Sequence, residues 1–311
     1  MEIVRRDLRQ AGYFGCRQSL APETPRNEST LTPGFIRNTL NPAPSGGSDP
    51  LSWDFDYGLA LEGYTAVDPV SGGSGWSPTP PVSTLIANAE DHSDIVVTSR
   101  AEGVGVIVNQ HPGGNPPGSA SILIDNDSGI GPEDILMVTD CTSAAIFQVS
   151  TGNPDTSGQI PHNTGTGAPG NYTNALGRSF VGAEVFEAVK SVFYVANSPV
   201  TGRPALFRNG DELVEDVERL RVFYGVDNTD NRQIDIYVPA GTVPLDGPAS
   251  TDPDWERVVA VQLHLLISSG AETGLTEAPV SLPFAGGTFD ATDRRAYQAF
   301  TTTIGVRNRL P

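Results

Sequence analysis

From Asp94 onward the chain is a succession of short β-type runs, and their two-residue alternation is what most limits the fold available to it. Val259, Val261, Leu263, Leu265 and Ile267 share one face of the run Val258–Ile267, and Leu220, Val222, Tyr224 and Val226 share one face of Glu218–Val226. A strand with one apolar face must sit in a sheet that lays that face on a core. Further runs are read at Ile95–Ser99, Ile122–Ile124, Ile135–Thr139, Ala145–Val149, Glu184–Ala196, Gln233–Val238 and Tyr297–Val306, each bounded by turn residues as antiparallel strands usually are. Asp211–Val217 reads as a helical turn, because Leu213, Val214 and Val217 stand at helical spacing. No strand–helix alternation and no fixed-period repeat is visible.

The opening is different. Met1–Tyr13 places Ile3, Val4, Leu8 and Ala11 on one face and Arg5, Arg6, Arg9 and Gln10 on the other, the period of an amphipathic helix, and Gly12 stops it. A helix of about a dozen residues is marginal alone, so it must dock on the domain or continue upstream. Residues 17–90 are dense in Pro, Gly, Ser, Thr and Asn, with aromatics such as Trp53, Tyr57, Tyr64 and Trp76 at intervals. That texture predicts a long loop region pinned to the surface by its aromatics, with mobile tips at Asn41–Pro50 and Asp68–Pro81. A leading helix followed by many strands predicts an α+β fold, the helix packed on antiparallel sheet.

Charge and motifs exclude more than they select. The 37 acidic against 19 basic residues give a net charge of −18, which repels nucleic-acid phosphates and anionic lipid. No run approaches the roughly 20 apolar residues of a spanning helix. The two cysteines, Cys16 and Cys141, either form one bridge in an exported protein, stabilising by about 4 to 5 kcal/mol, or remain buried thiols in a cytosolic one. His92, His111, His162 and His264 are scattered without metal spacing, His264 on the face opposite the main apolar row of its strand. No nucleophile elbow, zinc-protease pair or phosphate loop is present, so no enzyme is predicted. Two acidic loops offer oxygens for calcium, Asp125 and Asp127 in one and Asp227, Asn231 and Asp235 in the other, but neither has the register or closing glutamate of a calcium loop. No cofactor is expected beyond that weak calcium reading.

Asp7-Leu8-Arg9-Gln10-Ala11-Gly12-Tyr13-Phe14-Gly15-Cys16 resembles the segment that follows the membrane helix in PilW-type minor pilins of type IV pili. Asp134–Cys141 with Ala145–Val149, Val192–Val195, Ala205–Arg208, Leu213–Asp227, Trp255–Val261, Phe300–Ile304 and Val306–Leu310 are similar to later blocks of that family, in the same order. Arg232 stands where a turn glycine would be expected.

The resemblance implies a type IV pilin-like fold: residues 1–15 as the end of the stalk helix and residues 16–311 as one β-rich head with its long loop region at 17–90. It implies a bridge from Cys16 to Cys141, and a packing or assembly face of Ile3, Val4, Leu8 and Ala11. The implied function is a structural, non-enzymatic minor pilin that primes assembly at or near the pilus tip and serves twitching motility and adhesion. Its implied partners are other minor pilins, a tip adhesin, and the inner membrane through a helix not in this sequence, with no nucleic acid. The implied location is the inner membrane and periplasm before assembly and the extracellular pilus afterwards. The rivals are a J-type minor pseudopilin of type II secretion and an exported β-rich adhesin or carbohydrate-binding module using Trp53, Tyr57, Tyr64 and Trp76.

Overall fold

The computed structural model describes residues 2–16, 21–22, 30–41, 53–67, 75–114, 116–165, 167–249, 252–270 and 275–307. Helix α1 (Glu2–Gln10) comes first, followed by β1 (Ala21–Pro22), β2 (Phe35–Asn38), β3 (Leu61–Ala66), β4 (Trp76–Ser77) and β5 (Ile95–Ile107). Next are β6 (Ser121–Leu123), β7 (Ile135–Thr139), β8 (Ala144–Gln148), the one-turn helix α2 (Pro154–Ser157), β9 (Gln159–Pro161) and β10 (Glu184–Asn197). The chain continues through β11 (Pro204–Arg208), β12 (Asp211–Glu215), β13 (Val217–Val226), β14 (Ile236–Val238) and β15 (Val258–Ser268), and ends on β16 (Ser281–Phe284), β17 (Gly287–Asp290) and β18 (Tyr297–Gly305).

This corrects the expected fold class. The described residues are mostly β, distributed over several sheets, with two α-helices of nine and four residues, and not a helix-packed-on-sheet α+β pilin fold. The physical reason lies in the middle of the chain, where short strands continue to pair and, among the described residues, no further amphipathic helix of useful length forms. The expected helical turn at Asp211–Val217 is likewise a strand. Asn209 (φ +52°) and Gly210 (φ +91°) make a two-residue turn between β11 and β12. Asn-Gly is the residue pair such a hairpin turn favours, and cross-strand pairing outweighs the local helical spacing. The region read as a loop at 17–90 contains β3, all six of its residues buried, paired with β5 from Leu61↔Thr98 to Tyr64↔Ile95. The predicted tips at Asn41–Pro50 and Asp68–Pro81 lie outside the described residues except for Asn41 and the stretch from Gly75.

The chain divides into two compact units, the first made of Met1–Ala11, Leu61–Thr98 and Ser191–Pro311, the second of Gly12–Ala60 and Ser99–Lys190. In the first unit the sheet runs β14-β13-β15-β18, all antiparallel. The alternation read from sequence sets its register: Leu220 opposes Leu265, Val222 opposes Leu263 and Tyr224 opposes Val261, so the apolar rows meet on one face. That face is buried with Val4, Leu8 and Ala11 of the α1 segment, Trp255 and Ile304 in one apolar cluster. On the other face Leu266 packs with Phe284 and Phe289 of the β16–β17 hairpin.

The second unit is built differently. Strands β1 and β2 pair in parallel, as do β2 and β8, then β8–β7 and β7 with the first residues of β10 pair antiparallel. Two apolar clusters fill it, one around Phe147, Phe180 and Ile160, the other around Phe14, Met137 and Phe186.

Candidate functional site

In the first unit the site begins at α1. Val4, Leu8 and Ala11 follow the i, i+4, i+7 spacing of one helical stripe and are buried, whereas Ile3 lies about a hundred degrees round from Val4 and is 44% exposed. The expected packing face is therefore buried at three positions and open at Ile3. Asp7 completes the stripe, fully buried, a position the sequence reading passed over. Its Oδ2 accepts a 2.8 Å hydrogen bond from the Ser191 hydroxyl and lies 3.7 Å from the Arg208 guanidinium. A buried carboxylate with such partners fixes the helix in one rotation, because turning it strands a charge. The signal was available: an acid between two apolar stripe positions.

A second buried acid organises the same unit. Asp94 Oδ1 accepts from Arg221 at 2.9 Å and from the Ala66 N–H at 2.8 Å, and Oδ2 accepts from the Val222 N–H at 2.8 Å. Burial pushes its pKa up to about 6, against the downward pull of Arg221 and the two N–H groups. Beside it, the Tyr224 ring occupies the space over Gly63, where a Cβ would fall 1.9 Å from the tyrosine oxygen.

In the second unit, Cys16 and Cys141 are joined, their Cα atoms 5.1 Å apart across a sequence separation of 125 residues. The bridge links the segment after α1 to the turn after β7. Here too His111 and His162, 51 positions apart in sequence by their numbers, come together with ring centroids 6.3 Å apart. His111 Nδ1 accepts from the Phe180 N–H, and His162 packs against Phe147. Burial lowers both pKa values to about 4, with the neighbouring His111 adding to the effect at His162.

The acidic loops serve as turn caps. Asp227 accepts from the backbone N–H groups of Thr229, Asn231 and Arg232; against a desolvation push upward, those donors hold its carboxyl below the usual range. Asp235 accepts from the Asn228 N–H and the Thr229 hydroxyl, and Asn231 from the Gln233 N–H. Asp125 accepts from Asn109, and Asp127 takes a left-handed φ of +61° in the adjacent turn. Among the described residues no group of three or more His, Cys, Asp or Glu side chains is placed to hold a metal ion.

The aromatics of the long region are not free platforms. Tyr57 and Tyr64 are buried, Trp53 is half-buried with the Lys190 ammonium 4.4 Å from its ring centre, and the Trp76 indole N–H donates to the Ser93 carbonyl. His264 is half-buried and meets Gln262 and Thr301. No described helix is long and apolar enough to cross a membrane.

No curated protein and no solved structure matches the chain significantly. The family model for type IV pilus-assembly protein W matches residues 192–308, the stretch that supplies the end of β10 and all of β11–β18, and this match supports a PilW-type protein.

Proposed function

We propose that the chain is a minor pilin of a type IV pilus: a structural, non-catalytic subunit that joins other minor pilins, primes assembly and resides at or near the pilus tip. The observation that carries this reading is the family match over residues 192–308, a stretch that falls wholly within the first unit. The α1 stripe adds support, because Val4, Leu8 and Ala11 belong to the same apolar cluster as the strands of the matched stretch and Asp7 locks its rotation. The disulfide suits an exported subunit under load, since it restricts the unfolded chain over a long loop. The subunit passes through the cell envelope before assembly and is extracellular afterwards, serving twitching motility and adhesion.

Deletion of the gene in its host, with complementation, tests this. Loss of surface pili and twitching, restored by the gene, is expected. Normal pili with defective enzyme export would overturn the proposal in favour of a type II secretion pseudopilin.

A further inference from the structure

The edges of the sheets in this chain are not alike. Strand β1 is two residues long, β4 two and β14 three, and β12 carries Asp211, Glu212 and Glu215 along its five residues. Short or charged edge strands resist pairing with another chain. Strand β18 has neither protection: Tyr297–Gly305 is nine residues without a charge, a proline or a register shift, and it ends the β14-β13-β15-β18 sheet.

The direction of its backbone groups follows from two bonds. The Val306 N–H donates to the Val259 carbonyl, and the Ser269 N–H donates to the Ala296 carbonyl, so the even-numbered residues turn their backbone toward β15. Tyr297, Ala299, Thr301, Thr303 and Gly305 therefore turn theirs outward. Among the described residues no strand other than β15 pairs with β18.

We propose that this edge pairs with the same edge of a second copy, antiparallel about a two-fold axis, joining the two four-stranded sheets into one. Such an interface is isologous, and an uncharged strand meets no like charge across the axis. The register is set by what it covers. With Phe300 opposite Phe300, Ala299 and Thr301 form the hydrogen-bonded pairs on either side and Tyr297 opposes Thr303. Phe300, 38% exposed in the single chain, is then covered by its twin. The same register brings the end of β18 that leads to the exposed Arg307 beside the opposite end of its twin, which follows the bend at Asp293. The charge of −18 on each copy is screened over about 8 Å at physiological salt and does not forbid contact between neutral edges. The proposal does not rest on the pilus reading.

The test uses the whole chain. Sedimentation velocity over a concentration series should show a reversible dimer. Ala299→Pro removes an outward N–H while leaving the β15 ladder intact, and Phe300→Lys places two like charges on the axis; each should give a folded monomer. Phe300→Cys should form an intermolecular disulfide under mild oxidation, since residues opposite at a non-hydrogen-bonded site have Cα atoms about 4.5 Å apart. Gln298→Cys should not, its twin lying more than about 12 Å away along the strand. A monomer at every concentration, a dimer unaffected by Phe300→Lys, or equal cross-linking at both cysteine positions would overturn the proposal. A strand of another protein occupying this edge would give the first of these results.

Discussion

The first unit is held by registered apolar ladders and the buried carboxylates of Asp7 and Asp94, the second by a covalent bridge, two apolar clusters and the paired imidazoles of His111 and His162. The difference is one of range. In the β13–β15 pair, alternation places Leu220, Val222 and Tyr224 opposite Leu265, Leu263 and Val261 on the core face, so that ladder largely specifies itself. In the second unit the parallel pair β2–β8 joins strands more than a hundred positions apart, Ile36 opposite Ala144, and such a pairing needs other constraints to make its closure worthwhile. The Cys16–Cys141 bridge supplies one.

The largest expected effect separates the two units. Replacing both cysteines with serine should cost about 4 to 5 kcal/mol in the chain-entropy account of a loop this long, read as a lower melting temperature. Hydrogen exchange should place most of the lost protection in residues 12–60 and 99–190. In the first unit, Asp94→Ala should cost about 3 to 5 kcal/mol in chemical denaturation, because it removes the buried carboxylate paired with Arg221 and leaves the Ala66 and Val222 N–H groups without that acceptor. Gly63→Ala should cost about 1 to 3 kcal/mol, since the new Cβ collides with the Tyr224 ring and hydroxyl; Gly63→Ala combined with Tyr224→Phe should recover part of that loss.

The pH response sharpens the contrast in sign. His111 and His162 have folded pKa values of about 4 against 6.5 for the free side chain, so the unfolded state binds more protons between those values. Their contribution to the second unit falls as pH drops from 6.5 toward 4, by up to about 1.4 kcal/mol per pH unit for each group. Asp94 runs the other way. Its folded pKa of about 6 exceeds the ordinary aspartate value of 3.8, so its contribution to the first unit is present below pH 3.8 and is lost as pH rises through 6. His162→Phe should flatten the acid limb of the second unit, measured by pH-dependent melting, without altering the Asp94 contribution. The smallest effect is at the surface: Arg5→Ala breaks an exposed ion pair with Glu2 and should change stability by less than about 0.5 kcal/mol.

The same contrast explains what could be read in advance. The β13, β15 and β18 strands and the Val4, Leu8, Ala11 stripe were legible because period-two and period-3.6 patterns are local. The β11–β12 hairpin was legible too, through Asn209-Gly210, but the helical spacing of Leu213, Val214 and Val217 drew the reading away from it. The β16–β17 hairpin turns on Ala285 and Gly286, a pair with weaker sequence signal. The buried roles of Asp7 and Asp94, the meeting of His111 with His162, and the seat of Tyr224 over Gly63 depend on strands and loops far apart in sequence. No periodicity encodes them. Asp7 alone left a local trace, as a charge on an apolar stripe.

The division of labour between ladder and bridge is tested most directly by hydrogen exchange on the oxidised and the reduced chain, followed peptide by peptide. The account predicts that reduction strips protection from β2, β7 and β8 while β13, β15 and β18 keep theirs. Equal loss in both sets of strands, or no loss in either, would contradict it.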